Sequence, residues 1–127
     1  MILLETKMDK SVRLMIVEDN ARARRALKAR ISQEADICVM AEASNGQEAI
    51  RTINEQIPDI ILMDIYMPVL NGLDATRDIK IRWPQIKVVI LTMYPDNQPE
   101  AMVACADAFL FKGCSMEELT STIRSLS

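Results

Sequence analysis

Residues 59–72 read DIILMDIYMPVLNG, and the first part of this stretch decides the fold class. The apolar run Ile60–Met63 shows no alternation with polar residues, which is typical of a strand buried on both faces. Asp64 follows this run directly, and Pro68 fixes a turn soon afterwards. The stretch therefore predicts a central strand that ends in a polar loop.

The same pattern of a short apolar run, a turn and an amphipathic segment recurs along the chain. Strands are predicted at Val12–Val17, Ile37–Ala41, Ile60–Met63, Val88–Leu91 and Phe109–Phe111. Helices are predicted at Ala21–Ser32, Gln47–Gln56, Leu73–Arg82, Pro99–Ala104 and Met116–Leu126. Strands that alternate with helices in this way predict an α/β fold with a parallel sheet and helices on both faces.

Length and composition limit the organisation of the chain. Its 127 residues suit one domain, and 50% hydrophobic residues exclude a disordered protein. Residues 1–11 lack periodicity and are predicted to be an N-terminal lead before a domain over residues 12–127. We expect no signal peptide, because the apolar residues at 1–4 have no basic lead, and no membrane-spanning helix, because no apolar run is long enough.

The charged and metal-binding residue types exclude several kinds of site. A net charge of −3 argues against DNA or an acidic membrane surface as the partner of this domain. The absence of histidine excludes Cys/His zinc sites and histidine-based catalytic triads. The 3 cysteines form no CxxC pair, so we expect reduced thiols and a cytoplasmic location.

Polar residues follow four of the five predicted strands at the edge where such sheets carry their chemistry. Glu18 and Asp19 follow the first strand, Asp64 the third, Thr92 the fourth and Lys112 the fifth. Three neighbouring carboxylates repel one another and raise one another's pKa unless a cation neutralises them. A hard divalent ion with oxygen ligands, Mg²⁺ above all, suits such a cluster.

Thr92 and Lys112 add the groups needed to hold a phosphoryl group on one carboxylate. The lysine and Mg²⁺ would neutralise the phosphoryl oxygens while the hydroxyl donates a hydrogen bond. Asp64 is the natural acceptor, since carboxylates act as nucleophiles in phosphoryl transfer. Each residue alone has an ordinary interpretation, such as a helix start, a turn cap or a surface charge. Their joint occurrence, in order and each at the end of its own strand, favours the functional interpretation.

With these residues in place, the sequence resembles the receiver domain of two-component response regulators over residues 12–126. The matching stretches are VEDN at 17–20, DIILMDIYMPVLNG at 59–72, VVILTMY at 88–94 and FLFKG at 109–113. The LTMY and KGCS segments resemble the NarL/LuxR-type subgroup in particular. The resemblance implies a (βα)5 flavodoxin-like three-layer sandwich with strand order 2-1-3-4-5.

The resemblance also implies a role for each matching site residue. Asp64 would be the phosphoacceptor, and Asp19 and Asp64 would bind Mg²⁺ or Mn²⁺ through their side chains. Tyr66 would contribute its backbone carbonyl to the ion, and Glu18 would contribute through water. The phosphoryl group would come from a sensor histidine kinase or a phosphotransfer protein.

The remaining implied roles concern signalling and docking. Thr92 and Lys112 would engage the phosphoryl group, and Phe109 occupies the aromatic position that turns inward with Thr92 on activation. Arg22 and Arg25, on a basic outer side of the first helix that also carries Arg24, Lys28 and Arg30, would select the kinase. A merely solvated basic face is the alternative interpretation of that helix.

The segment between Thr92 and Lys112 departs from the family pattern. It is a little shorter than usual, and the predicted fourth helix is short. Cys105 stands where relatives often have glycine, so either it adopts a positive φ or the turn shifts to ordinary φ angles. These departures leave output and dimerisation open.

Three hypotheses follow for the function. The first is a Mg²⁺-dependent phosphorylation switch that is not a turnover enzyme but assists its own phosphorylation and dephosphorylation. It would act alone or as the regulatory part of a transcription regulator, with a homodimer on phosphorylation and a DNA-binding domain downstream as possible extensions. The second is a degenerate receiver that docks proteins without phosphorylation. The third, a flavin-binding protein, is rejected because the acidic loop after the first strand would repel a flavin phosphate.

Overall fold

The computed structural model describes residues 11–127, and its centre is a parallel five-stranded sheet. The strands are β1 (Val12–Val17), β2 (Ile37–Ala43), β3 (Ile60–Met63), β4 (Lys87–Thr92) and β5 (Ala108–Phe111). Their order is β2-β1-β3-β4-β5, which confirms the predicted topology. The predicted lead at residues 1–11, apart from Ser11, lies outside the described residues.

Helices connect the strands in the predicted positions, within one residue at each end. They are α1 (Ala21–Ile31), α2 (Gly46–Glu55), α3 (Gly72–Arg82), α4 (Gln98–Val103) and α5 (Met116–Leu126). A 3₁₀ turn at Pro95–Asn97 precedes α4, which has only 6 residues. The prediction of a short fourth helix is therefore confirmed. In the part of the chain from residue 11 onward, no helix combines the length and apolarity needed to cross a bilayer.

Strand β3 explains why the deciding stretch shows no alternation. Ile61 and Met63 pack into a core with α2, α3 and α4, whereas Ile60 and Leu62 pack into a second core with α1 and α5. All four side chains are at most 1% exposed. Burial of each contributes about 1.5–3 kcal/mol, so both faces of this strand must be apolar. The result is the predicted three-layer sandwich.

Of the five helices in residues 11–127, four begin at a short polar side chain. Asn20, Asn45, Asn71 and Ser115 each accept a hydrogen bond from the backbone N–H three residues ahead, at 2.8–3.0 Å. Each cap contributes about 1 kcal/mol by satisfying an N–H that the helix leaves free. These caps fix the residue at which each of these helices begins.

The turn between α4 and β5 decides the conformation of Cys105, which has φ 67°. The N–H of Ala106 donates to the carbonyl of Ala101 at 3.1 Å, and the N–H of Cys105 donates to that of Met102 at 3.0 Å. This pair of bonds is a Schellman motif, which requires a left-handed residue just beyond the helix. The positive φ is therefore the correct one of the two predicted alternatives.

Candidate functional site

Three carboxylates meet at the carboxyl edge of the sheet because β1 and β3 are neighbours. Val17 and Met63, the last residues of these strands, are paired in register, and the N–H of Asp64 donates to the carbonyl of Val17 at 3.0 Å. As a result, carboxylate oxygens of Glu18, Asp19 and Asp64 all lie within 4.8 Å of one another. The structure thus brings together the acidic residues that the sequence predicted to cluster.

Lys112 reaches this cluster from the end of β5. Its Nζ lies 2.6 Å from Oε1 of Glu18 and 3.4 Å from Oδ2 of Asp64. Its backbone N–H donates to the carbonyl of Thr92 at 2.7 Å, which continues the pairing of β4 and β5 to the site. One ammonium group faces three carboxylates, so the site keeps an excess of negative charge.

Of the three carboxyls at the site, Glu18 is the one whose pKa is lowered. It is 6% exposed, and its other oxygen, Oε2, accepts the N–H of Asn20 at 3.0 Å. Burial alone would raise the pKa of this carboxyl, but the hydrogen bond from Lys112 and the bond from Asn20 outweigh burial and lower it. With both oxygens bonded to the protein, Glu18 suits an indirect role at an ion better than direct ligation.

The other two carboxyls have raised pKa values. Burial, followed by the negative charge of Glu18, raises the pKa of Asp64 to about 6, although Lys112 opposes the shift. Burial and the neighbouring Glu18 also raise the pKa of Asp19. A divalent cation would relieve this repulsion, and carboxylate oxygens are the ligands that Mg²⁺ prefers. The residues present therefore fit such an ion.

Thr92 lies on β4, next to β3, and its side chain is fully buried. Its Oγ1 accepts the N–H of Tyr94 at 3.1 Å. Within residues 11–127, its hydroxyl proton is donated to no protein acceptor. The hydroxyl can therefore donate to an oxygen that enters the site.

Two aromatic residues of the predicted set lie in different surroundings. Tyr66 is 56% exposed, and its ring meets that of Tyr94 edge-on at 5.3 Å between centroids. Phe109 is half-buried and packs against the core that β3 shares with α2, α3 and α4. Phe109 therefore already faces inward in part, whereas the neighbouring strand residue Phe111 is exposed.

The basic face of α1 is not as uniform as predicted. Arg22 and Arg25 are exposed, and in the described part of the chain neither forms an ion pair. The prediction that Arg24 also lies on the outer side is wrong. It donates to the backbone carbonyl of Glu18 at 2.7 Å and pairs with Glu42 at 3.4 Å, because strand β2 brings Glu42 alongside the helix.

Two residues at the site were not assigned a role from the sequence. A Cβ on Gly72 would lie 1.8 Å from the backbone oxygen of Asp64, so only glycine lets α3 begin against that peptide. The Asn71-Gly72 pair could have been recognised as a helix start. Asn97 donates from Nδ2 to the Tyr66 hydroxyl at 3.0 Å, and no pattern in the sequence predicts this contact.

The chain matches the model of the response regulator receiver domain over residues 14–124. It is 33% identical over 119 residues to the response regulator protein VraR of Staphylococcus aureus. That alignment covers 92% of this chain and 57% of VraR. The chain thus spans a little over half the length of the curated relatives that it matches.

Solved structures agree with this match. A LuxR-family DNA-binding response regulator from Staphylococcus aureus superposes with a TM-score of 0.84 at 33% identity, covering 91% of this chain and 98% of that one. The response regulator TrrA from Thermotoga maritima, solved in complex with Mg²⁺ and BeF, gives 0.82 at 26% identity over 91% of this chain and 99% of its own. The chain belongs to the response regulator receiver domain family and is of the NarL/LuxR type.

Proposed function

We propose that this receiver domain accepts a phosphoryl group on Asp64 from a phosphohistidine of a sensor kinase or a phosphotransfer protein, and acts as a signalling switch. The observation that carries the proposal is the approach of Lys112 to within 3.4 Å of Asp64 inside a cluster of two further carboxylates. That arrangement pairs a nucleophile with the positive charge that a phosphoryl group needs.

In the transfer step, an Asp64 carboxylate oxygen attacks phosphorus and forms an O–P bond. The N–P bond of the donor breaks, and its electron pair returns to the imidazole ring. The ammonium group of Lys112 would neutralise the incoming phosphoryl oxygens, and the Thr92 hydroxyl, which donates to no acceptor within residues 11–127, would donate to them. In the later hydrolysis, water would attack phosphorus, and the O–P bond to Asp64 would break with release of inorganic phosphate and return of the carboxylate. The domain would thus assist both steps without being a turnover enzyme.

The carboxylate donor set supports a Mg²⁺ or Mn²⁺ site in this protein. Asp19 and Asp64 would bind the ion through side-chain oxygens and Tyr66 through its backbone carbonyl. Glu18, whose oxygens already bond Lys112 and Asn20, would contribute through water. A bound divalent ion supplies charge neutralisation at the phosphoryl oxygens. The Mg²⁺–BeF complex of TrrA is a precedent within the same fold.

Transmission of the signal would use Thr92 and Phe109. Movement of the Thr92 hydroxyl toward a phosphoryl group would change the space beside β5, into which the half-buried Phe109 ring could turn further. The domain would then have two states that differ in the packing of Thr92 and Phe109, and phosphorylation would favour one of them.

The proposed partners follow from exposed residues and from the family. Arg22 and Arg25 lie close in sequence to the acidic site and form no ion pair within residues 11–127, and they would select the histidine-bearing partner. VraR and the LuxR-family neighbour are named as response regulators, the latter as DNA-binding. We therefore extend the proposal to a cytoplasmic regulator in which this domain controls a downstream DNA-binding domain, with phosphorylation favouring a homodimer.

A degenerate receiver that only docks proteins is not favoured. Such a protein has no use for Asp19, Asp64, Thr92 and Lys112 together, and all four remain in this chain. The partly buried, mutually repelling carboxylates also cost stability, which a docking module has no reason to retain.

Intact mass spectrometry after incubation with acetyl phosphate and Mg²⁺ tests the proposal. One phosphoryl group should add to the wild type, and none to Asp64→Ala or to the wild type with a chelator. Asp78→Ala is the matched control, since Asp78 is an exposed aspartate of α3 away from the cluster, and this variant should be modified like the wild type. A wild type without an adduct, or an adduct on Asp64→Ala, would overturn the assignment.

A further inference from the structure

One side-chain hydrogen bond joins the loop after β3 to the turn before α4. The Nδ2 of Asn97 donates to the hydroxyl of Tyr66 at 3.0 Å, across 31 residues of sequence. Asn97 belongs to the 3₁₀ turn at Pro95–Asn97, and Tyr66 lies two residues after the proposed phosphoacceptor Asp64. The contact therefore links the site to the segment that leads into the shortened fourth helix.

Within the described part of the chain, the backbone of Tyr66 is free to bind a ligand. Among residues 11–127, neither its N–H nor its carbonyl takes part in a hydrogen bond to the protein, whereas Ile65 on one side and Leu70 on the other do. The carbonyl that would bind the ion is thus available. The phenol bond to Asn97 and the edge-on contact with the Tyr94 ring restrain the side chain of this residue.

Asn97 is placed in a way that stability alone does not explain. Asn97 is 6% exposed, and its Oδ1 is buried with no hydrogen-bond partner in the described part of the chain. Buried amide oxygens without a donor are uncommon, because their lost hydration is not replaced. Within residues 11–127, the bond from Nδ2 to the Tyr66 hydroxyl is therefore the one hydrogen bond that the Asn97 side chain makes.

We propose that Asn97 is a positioning residue for the divalent-ion site: it holds Tyr66, through the phenol, so that the Tyr66 carbonyl is already ordered when the ion binds. The inference rests on the proposed function. It adds to the site a residue that does not follow a strand directly but lies in the 3₁₀ turn before α4. An ordered ligand loses less conformational entropy on binding than a free one. Loss of the bond should therefore weaken ion binding without removing any ligand.

Direct Mn²⁺ titration without a phosphodonor tests this role, with free Mn²⁺ followed by electron paramagnetic resonance and heats by calorimetry. Tyr66→Phe and Asn97→Ala each remove the same hydrogen bond and should raise the Kd for Mn²⁺ about two- to tenfold. The double variant should be no weaker than either single one. Asn54→Ala is the matched control, because it also removes an amide hydrogen bond, to the Ile50 carbonyl at 3.3 Å, but on the exposed side of α2, and its Kd should equal that of the wild type.

The outcomes separate this inference from the proposed function. If the wild type binds Mn²⁺ and takes up a phosphoryl group while Tyr66→Phe and Asn97→Ala bind Mn²⁺ equally well, the role of Asn97 is wrong and the proposed function stands. Additive losses in the double variant would also overturn it. A wild type that binds no Mn²⁺ and forms no adduct overturns both. If Asn97→Ala does not fold, Tyr66→Phe decides alone, since it changes a half-exposed side chain.

Discussion

Lys112 lies closer to Glu18 than to the proposed phosphoacceptor. Its Nζ is 2.6 Å from Oε1 of Glu18 but 3.4 Å from Oδ2 of Asp64. Glu18 is thereby kept charged, and Asp64 is left with the weaker of the two interactions and a pKa raised to about 6. The ammonium group is therefore shared between two carboxylates, and several consequences of that sharing can be measured.

Substitution of Lys112 by Met should destabilise the domain. The change leaves Glu18 and Asp64 without their common cation in a partly buried site, and the free energy of unfolding should fall by about 1–3 kcal/mol at pH 8. The loss should shrink toward pH 5, because the carboxyl groups can then take up protons. Urea unfolding in the presence of a chelator measures both values.

Lys28→Met is the control for that prediction. Lys28 also pairs with a glutamate, Glu42, at 3.0 Å, but its side chain is 45% exposed. Exposed pairs contribute about 0–1 kcal/mol, so this variant should change stability little. Equal losses for the two variants would mean that burial does not strengthen the Lys112 interactions.

Substitution of Asp64 by Asn should stabilise the metal-free domain in a pH-dependent way. The folded-state pKa of about 6 exceeds the ordinary 3.8, so folding favours the protonated carboxyl, and this contribution is lost as pH rises from 3.8 through 6. The free energy of unfolding of Asp64→Asn at pH 8 should therefore exceed that of the wild type by about 1 kcal/mol. This is less than the full pKa shift would give, because water partly screens the site.

The comparison of unfolding midpoints at pH 8 and pH 4, with a chelator present, checks the Asp64→Asn prediction. The advantage of the variant should shrink at pH 4, where the wild-type carboxyl is protonated in the folded state. Added Mg²⁺ should stabilise the wild type more than the variant. An advantage that is the same at both pH values would contradict the linkage.

Gly72→Ala should disrupt the site directly. The new Cβ would lie 1.8 Å from the backbone oxygen of Asp64, and backbone atoms on both sides must move. We expect a loss of more than about 2 kcal/mol and slow or absent phosphorylation. Gly113→Ala is the control. The three atoms nearest to its Cβ all belong to the ring of Phe111, a half-exposed side chain that can rotate away, so thermal unfolding should report a much smaller loss.

Cys105→Gly should stabilise the domain by about 1 kcal/mol, because glycine adopts φ 67° without the steric strain of a side chain. Cys105→Ala keeps a Cβ and should be close to the wild type. Chemical unfolding of the three proteins side by side tests the prediction. Equal stability of the glycine and alanine variants would show that the Schellman turn carries no strain at this position.

Much of the fold follows from local pattern. The unbroken apolar run Ile60–Met63 predicts a strand buried on both faces, and the observed division of its side chains between two cores shows why alternation is absent. The caps at Asn20 and Ser115 begin their helices at the predicted residues, since a cap depends only on neighbouring backbone groups. The gathering of Glu18, Asp19 and Asp64 was predictable too, because the carboxyl ends of adjacent parallel strands share one edge.

Contacts between distant segments could not be read from the sequence. The pairing of Arg24 with Glu42 on β2, the donation from Asn97 to Tyr66 and the closer approach of Lys112 to Glu18 than to Asp64 each join side chains of different elements. Their distances depend on strand order, helix packing and rotamers together. The sequence by itself determined which elements form and which residues end them, because those are local energies. Which side chains meet, and how charge is shared among them, was decided only by the tertiary structure.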